Sequence, residues 1–96
     1  MLILHRDILD DFKKKNARAR KSLDIWLCIA QQADWTCPQD IKNDFSSASI
    51  CPNDKVVFNI GGNKFRLIVV AVYAFGTLKI DWIGTHAEYD KICPIE

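Results

Sequence analysis

Val56-Val57-Phe58-Asn59-Ile60-Gly61-Gly62-Asn63-Lys64-Phe65-Arg66 decides how the second half of the chain folds. Apolar and polar residues alternate on both sides of the glycine pair. Glycine also tolerates the positive φ that hairpin-compatible turns demand. The stretch predicts a hairpin with a two-residue turn at Gly61-Gly62, pairing Ile60 with Asn63, Asn59 with Lys64, Phe58 with Phe65 and Val57 with Arg66. Successive strand side chains point to opposite faces. Val56, Phe58, Phe65 and Leu67 therefore share one face, and Lys55, Asn59, Lys64 and Arg66 share the other.

Working outward, residues 63–75 and 77–83 read as the next two strands, joined at Gly76-Thr77 by a turn with glycine at its first central position. That turn would pair Phe75 with Leu78, Tyr73 with Ile80 and Ala71 with Trp82. Phe65, Leu67, Tyr73, Phe75, Leu78, Ile80 and Trp82 then fall on the face beneath the helices. The opposite face carries Arg66, Ile68, Val70 and Val72 beside Lys79, Asp81 and Ile83. Being partly apolar, it is expected to be partly covered, and a partner chain is one source of such cover. Extending the pairing sets Arg66 opposite Ala87, with His86, Glu88 and Tyr89 close to the guanidinium.

The first half is helical in pattern. Leu2-Ile3-Leu4 starts a short strand. Ile8, Leu9 and Phe12 then follow at helical spacing behind Asp7, a candidate N-cap. After the polar run Lys13-Lys14-Lys15-Asn16, residues Leu23, Trp26, Leu27, Ala30 and Ala33 recur at intervals of three and four, which predicts a second amphipathic helix ending near Asp34. Pro38 suits the first turn of a short helix that Ile41 and Phe45 would pin to the core. Residues 46–54 read as loop. The class is α+β: a short N-terminal strand, two main helices and a three-stranded antiparallel meander, with the helices on one face.

The 96 residues suffice for one core and not two, so a single domain over residues 1–96 is expected. With 49% hydrophobic and 26% charged residues, the composition is that of a folded globular chain. No stretch has the order of a signal peptide or the length of a membrane span, which predicts a cytoplasmic protein. The cysteines at 28, 37, 51 and 93 form no Cys-x-x-Cys pair, and His5 and His86 supply no metal-ligand spacing, so neither metal nor cofactor is expected. Reduced thiols follow from the same compartment. Thirteen basic against twelve acidic residues give a net charge of +1, so any polyanion must be held by a local patch.

One such patch is predicted. Strand parity gathers Lys55, Asn59, Asn63, Lys64, Arg66, Thr85, His86 and Tyr89 at one end of the sheet. Arg66 can grip two phosphate oxygens in a fork, the lysines add point charges, and the asparagines orient by neutral hydrogen bonds. His86 is the group whose unperturbed pKa suits proton transfer near neutrality. RNA cleavage needs little more: a base to free the 2′-hydroxyl, cations to steady the developing charge, and an acid for the leaving 5′-oxygen. The same residues also fit a plain surface strand end, with Arg66 paired to Asp81 or Glu88. Trp26 belongs to the helical apolar stripe, while Trp35 is open between core and ligand stacking. Lys13, Lys14, Lys15, Arg18, Arg20 and Lys21 suit either RNA phosphates or a solvated helical face.

The wording of the sequence adds a resemblance. Ala33-Asp34-Trp35, Pro38-Gln39-Asp40-Ile41-Lys42, Ser47-Ala48, the hairpin from Val56 to Leu67, and Ile83-Gly84-Thr85-His86-Ala87-Glu88-Tyr89-Asp90-Lys91-Ile92 look like the HigB toxins of type II toxin–antitoxin systems, a branch of the RelE-like superfamily. The resemblance covers essentially the whole chain. It implies a RelE-like fold and a ribosome-dependent endoribonuclease that cuts mRNA by 2′-hydroxyl attack without metal. It also implies neutralisation by a helix-turn-helix antitoxin of the HigA type, through which alone operator DNA would be reached. By position, Arg66, His86 and Tyr89 become the catalytic candidates, and Lys55, Asn59, Asn63 and Lys64 the RNA contacts; Tyr89 also suits an unstacked base. Two features depart from the family: Asp81 stands where a basic residue is common, and the net charge is near zero. They motivate the alternative, an attenuated module that serves mainly as the antitoxin-bound part of a transcriptional repressor.

Overall fold

The hairpin around Gly61-Gly62 forms, with its ladder displaced by two positions. In the computed structural model, which describes residues 1–62 and 64–92, strands β3 (Lys55–Ile60) and β4 (Phe65–Val72) are antiparallel, with Ile60 opposite Phe65, Asn59 opposite Arg66 and Val57 opposite Ile68. Four residues, not two, connect them. Both glycines take positive φ, 64° and 72°. Because the displacement is even, each side chain keeps its predicted face, and only an odd slip would exchange them. In this register Phe65 is buried and meets Phe12 edge-on, with ring centroids 5.5 Å apart.

The next turn differs more. β4 ends at Val72, a 3-10 turn spans Tyr73–Phe75, and Gly76 at φ 57° leads into β5 (Thr77–Thr85), with Val72 opposite Thr77 and Ala71 opposite Leu78. Phe75, expected in the core, is 82% exposed at the turn, and Tyr73 is half-buried beside the core. The register then shifts at a bulge: Val69 faces Ile80, but Ile68 faces Trp82 and Leu67 faces Ile83. Ile80 and Ile83, three apart, are both buried in the main core. One extra residue is what that spacing requires, and it turns both Asp81 and Trp82 to the opposite face. Trp82 therefore leaves the core that plain alternation assigned to it, and Ile83 takes its place.

The N-terminal half follows the helical periodicity. Helices α1 (Asp7–Lys15), α2 (Arg20–Gln32) and α3 (Pro38–Asp44) form, with Leu9, Leu23, Trp26, Ala30 and Ile41 buried. Asp7 is the first helical residue and not the cap, which is Arg6 without a side-chain bond; Asp7 acts through the helix dipole, as Lys13, Lys14 and Lys15 do at the other end. Trp35 is core: its indole N–H donates to Asp44 at 2.9 Å and its ring stacks on Phe58.

The sheet has five strands, not three, in the order β1-β5-β4-β3-β2. β1 (Leu2–Leu4) pairs parallel with β5, and β2 (Ser49–Ile50), within the expected loop, pairs antiparallel with β3. α1 to α3 bury one face. A fourth helix, α4 (His86–Ile92), was not expected; its Tyr89 packs on the other face with Cys51, Val57 and Ile68, flanked by Trp82. Cover for that face thus comes from the chain itself. No described helix is long and apolar enough to cross a membrane.

Candidate functional site

α4 is set at the end of β5 by a reciprocal pair of hydrogen bonds. The Glu88 backbone N–H donates to Thr85 Oγ1 at 3.1 Å, and the Thr85 N–H donates to Glu88 Oε1 at 2.8 Å, a capping box that satisfies two of the helix's orphan donors. The Thr85 backbone bond first, and its side-chain bond second, hold the Glu88 carboxyl below the ordinary carboxylate range. The His86 N–H donates to the Lys64 carbonyl at 3.0 Å, so the helix start is also tied to the hairpin loop.

These links assemble most of the predicted cluster. Asn59, Arg66 and Gly84 stand opposite one another across β3, β4 and β5, so Arg66 lies between Asn59 on one neighbouring strand and the root of α4 on the other. The register carries Arg66 to Gly84 and not to Ala87. Its guanidinium carbon sits 5.6 Å from the centroid of the Tyr89 ring. That distance allows a cation–π contact. His86 turns elsewhere: its Nδ1 lies 3.1 Å from Asp90 Oδ2, one turn along the same helix. With Nδ1–H donating to Asp90, Nε2 is left to accept a proton.

Lys64 is exposed at the loop end next to His86, while Asn59, Arg66 and His86 are half-buried. Tyr89 is 8% exposed, so its ring serves mostly as packing. Lys55 does not join them. It lies four residues from Asn59 along β3, about 13 Å at roughly 3.3 Å per residue, and its Nζ is 3.4 Å from Asp81 Oδ2. Arg66 is not the partner of Asp81. Asn63 lies outside the described residues, as does Cys93.

Three features of the site escaped the sequence reading. The Thr85-x-x-Glu88 spacing was available as a helix-start signal. The two isoleucines three apart within β5 were a signal for the bulge. The pairing of His86 with Asp90, at i and i+4, becomes visible only once that segment is known to be helical.

An α+β fold with four described helices and a mixed five-stranded sheet is compatible with the RelE-like class. The sequence profile of the HigB toxins, described as the RelE-like toxic component of a toxin–antitoxin system, matches residues 19–92. The chain belongs to that family, and is a toxin of a toxin–antitoxin system with an antitoxin as its implied partner. Comparison with curated proteins gives no match.

Proposed function

We propose that the protein is a ribosome-dependent endoribonuclease that cleaves mRNA in the cytoplasm, using Arg66, His86 and Tyr89 at the junction of β4, β5 and α4. The observation that carries this reading is the Asn59–Arg66–Gly84 row ending at a helix whose first residue is a histidine held through Nδ1. His86 Nε2 exchanges the proton, taking it from the 2′-hydroxyl or giving it to the leaving 5′-oxygen. Attack of the 2′-oxygen on the adjacent phosphorus breaks the bond to the 5′-oxygen and leaves a 2′,3′-cyclic phosphate. Arg66, oriented by the Tyr89 ring, steadies the added negative charge. Asn59 and Lys64 align the neighbouring backbone, and Asn63 belongs to the same proposed set. A helix-turn-helix antitoxin completes the pair, and operator DNA is reached through it alone.

Mapping cuts on ribosome-bound mRNA tests this. Wild type should cut; Arg66→Ala should lose about 10²–10³ in rate, and His86→Ala about 10²–10⁴. Equal cutting by both variants sinks the assignment. A second reading, a toxin with reduced RNA affinity acting mainly in the repressor complex, is favoured by the Lys55–Asp81 pair, which sets an anion against a cation on the site face. Growth arrest on expression without antitoxin would argue against it.

A further inference from the structure

On the site face, the bulge delivers a large aromatic ring that the cleavage chemistry above does not use. Trp82 faces Ile68 and lies beside Tyr89, with ring centroids 6.4 Å apart and planes tilted by 45°. Arg66 sits over the other neighbour in this series, the Tyr89 ring, so indole, phenol and guanidinium run side by side. Gly84 makes the space. A Cβ there would stand 2.5 Å from both Cζ2 and Cη2 of Trp82, and only 3.0 Å from Glu88 Oε1. Gly84 is not among the glycines with positive φ, so its missing side chain serves room and not backbone conformation. The indole thus reaches from the Ile68 row toward the Arg66 row, over the backbone of the residue opposite Arg66.

We infer that Trp82 is a shelf on which an unstacked nucleobase of the bound RNA stacks, next to the phosphate gripped by Arg66. This rests on the nuclease reading. A simple packing role would be met by keeping Trp82 inside the second cluster, yet it stays partly exposed at the cluster's edge while Tyr89 is 8% exposed. A base beside Arg66 therefore finds more of the indole than of the phenol. Tryptophan offers the largest ring for such stacking, which is indifferent to base identity because every base has a π-face.

The test is single-turnover cleavage of mRNA on programmed ribosomes as toxin concentration is varied. Trp82→Leu keeps apolar bulk over Ile68 and removes the ring; Trp82→Phe keeps a ring. Trp82→Leu should raise the half-saturating concentration roughly 5- to 150-fold, the range for losing one base stack. The maximal rate should change far less, and Trp82→Phe should recover most of the loss. Thermal melting of each variant separates this from unfolding. Gly84→Ala should weaken binding by displacing the indole, and add little in a Trp82→Leu background. If wild type cuts and Trp82→Leu saturates at the same concentration, the shelf is wrong and the nuclease reading stands. If wild type leaves the message intact, both fall together.

Discussion

The two faces of this sheet are built by different rules. Under α1, α2 and α3, strict alternation along β3 and β4 delivers Val56, Phe58, Ile60, Phe65, Leu67, Val69 and Ala71 into one continuous core. The opposite face holds a smaller cluster of Cys51, Val57, Ile68 and Tyr89, together with a bulge, a seven-residue helix and the candidate site. Periodic burial supplies stability through many interchangeable contacts, whereas a site depends on a few local exceptions. The largest expected effect tests the first half of this contrast. Phe58 is in ring contact with Trp26, Trp35 and Phe45 at 5.2 to 6.3 Å. Phe58→Ala should cost about 3–5 kcal/mol in chemical denaturation, since a cavity this deep cannot collapse fully. A loss below 1 kcal/mol would show that the helical face is not the stabilising one.

Thr85→Ala probes the other face. A helix as short as α4 cannot persist alone, so its cap and its Tyr89 anchor must hold it. Removing the hydroxyl that receives the Glu88 N–H should cost about 1 kcal/mol. Amide exchange should quicken in α4 while β3 and β4 are unchanged. Equal acceleration throughout would mean that the two faces unfold as one unit.

The same contrast explains what could be read from the chain. Face assignment along β3 and β4 was legible because an error of two in register leaves parity intact, and because Pro38, the glycine pair and the 3.6-residue periodicity are local signals. Trp82 and Phe75 were misplaced for a different reason. Pure alternation has no means of representing an extra residue in β5 or a 3-10 turn before Gly76, and the first is set by the core taking both Ile80 and Ile83. The β1–β5 pairing joins segments more than seventy residues apart and leaves no trace in local pattern. At the site, Arg66 and Tyr89 met as expected, but Lys55 lies four residues of β3 away from Asn59, where its side chain meets Asp81.

That pair yields a smaller prediction. Asp81→Asn removes the anion and releases Lys55, so affinity for ribosome-bound RNA should rise about two- to fivefold, the scale of an exposed pair. The gain should shrink at high salt, where exposed charges are screened. Unchanged affinity would make the departure at position 81 irrelevant to RNA binding, and would leave near-neutral charge as the remaining ground for the attenuated reading.

The smallest effect lies in pH. Glu88 is held below its ordinary value of 4.5 by the Thr85 backbone bond first and the Thr85 side-chain bond second, with Lys91 assisting. A carboxylate whose folded pKa is depressed stabilises fully above its unfolded value, and that contribution fades as pH falls through the folded one. Local stability of α4 should therefore be flat above about 4.5 and decline below it. Asp40, depressed by the Thr36 backbone N–H and then the Thr36 side chain, pulls in the same direction at α3. Measurement must accordingly resolve α4 from α3, which amide exchange does and a global melt does not. Glu88→Gln keeps an acceptor for the Thr85 N–H but has no proton to gain, so it should flatten the acid limb in α4 and leave the limb in α3. A limb that survives in α4 in Glu88→Gln would show that its acid sensitivity does not come from the helix cap.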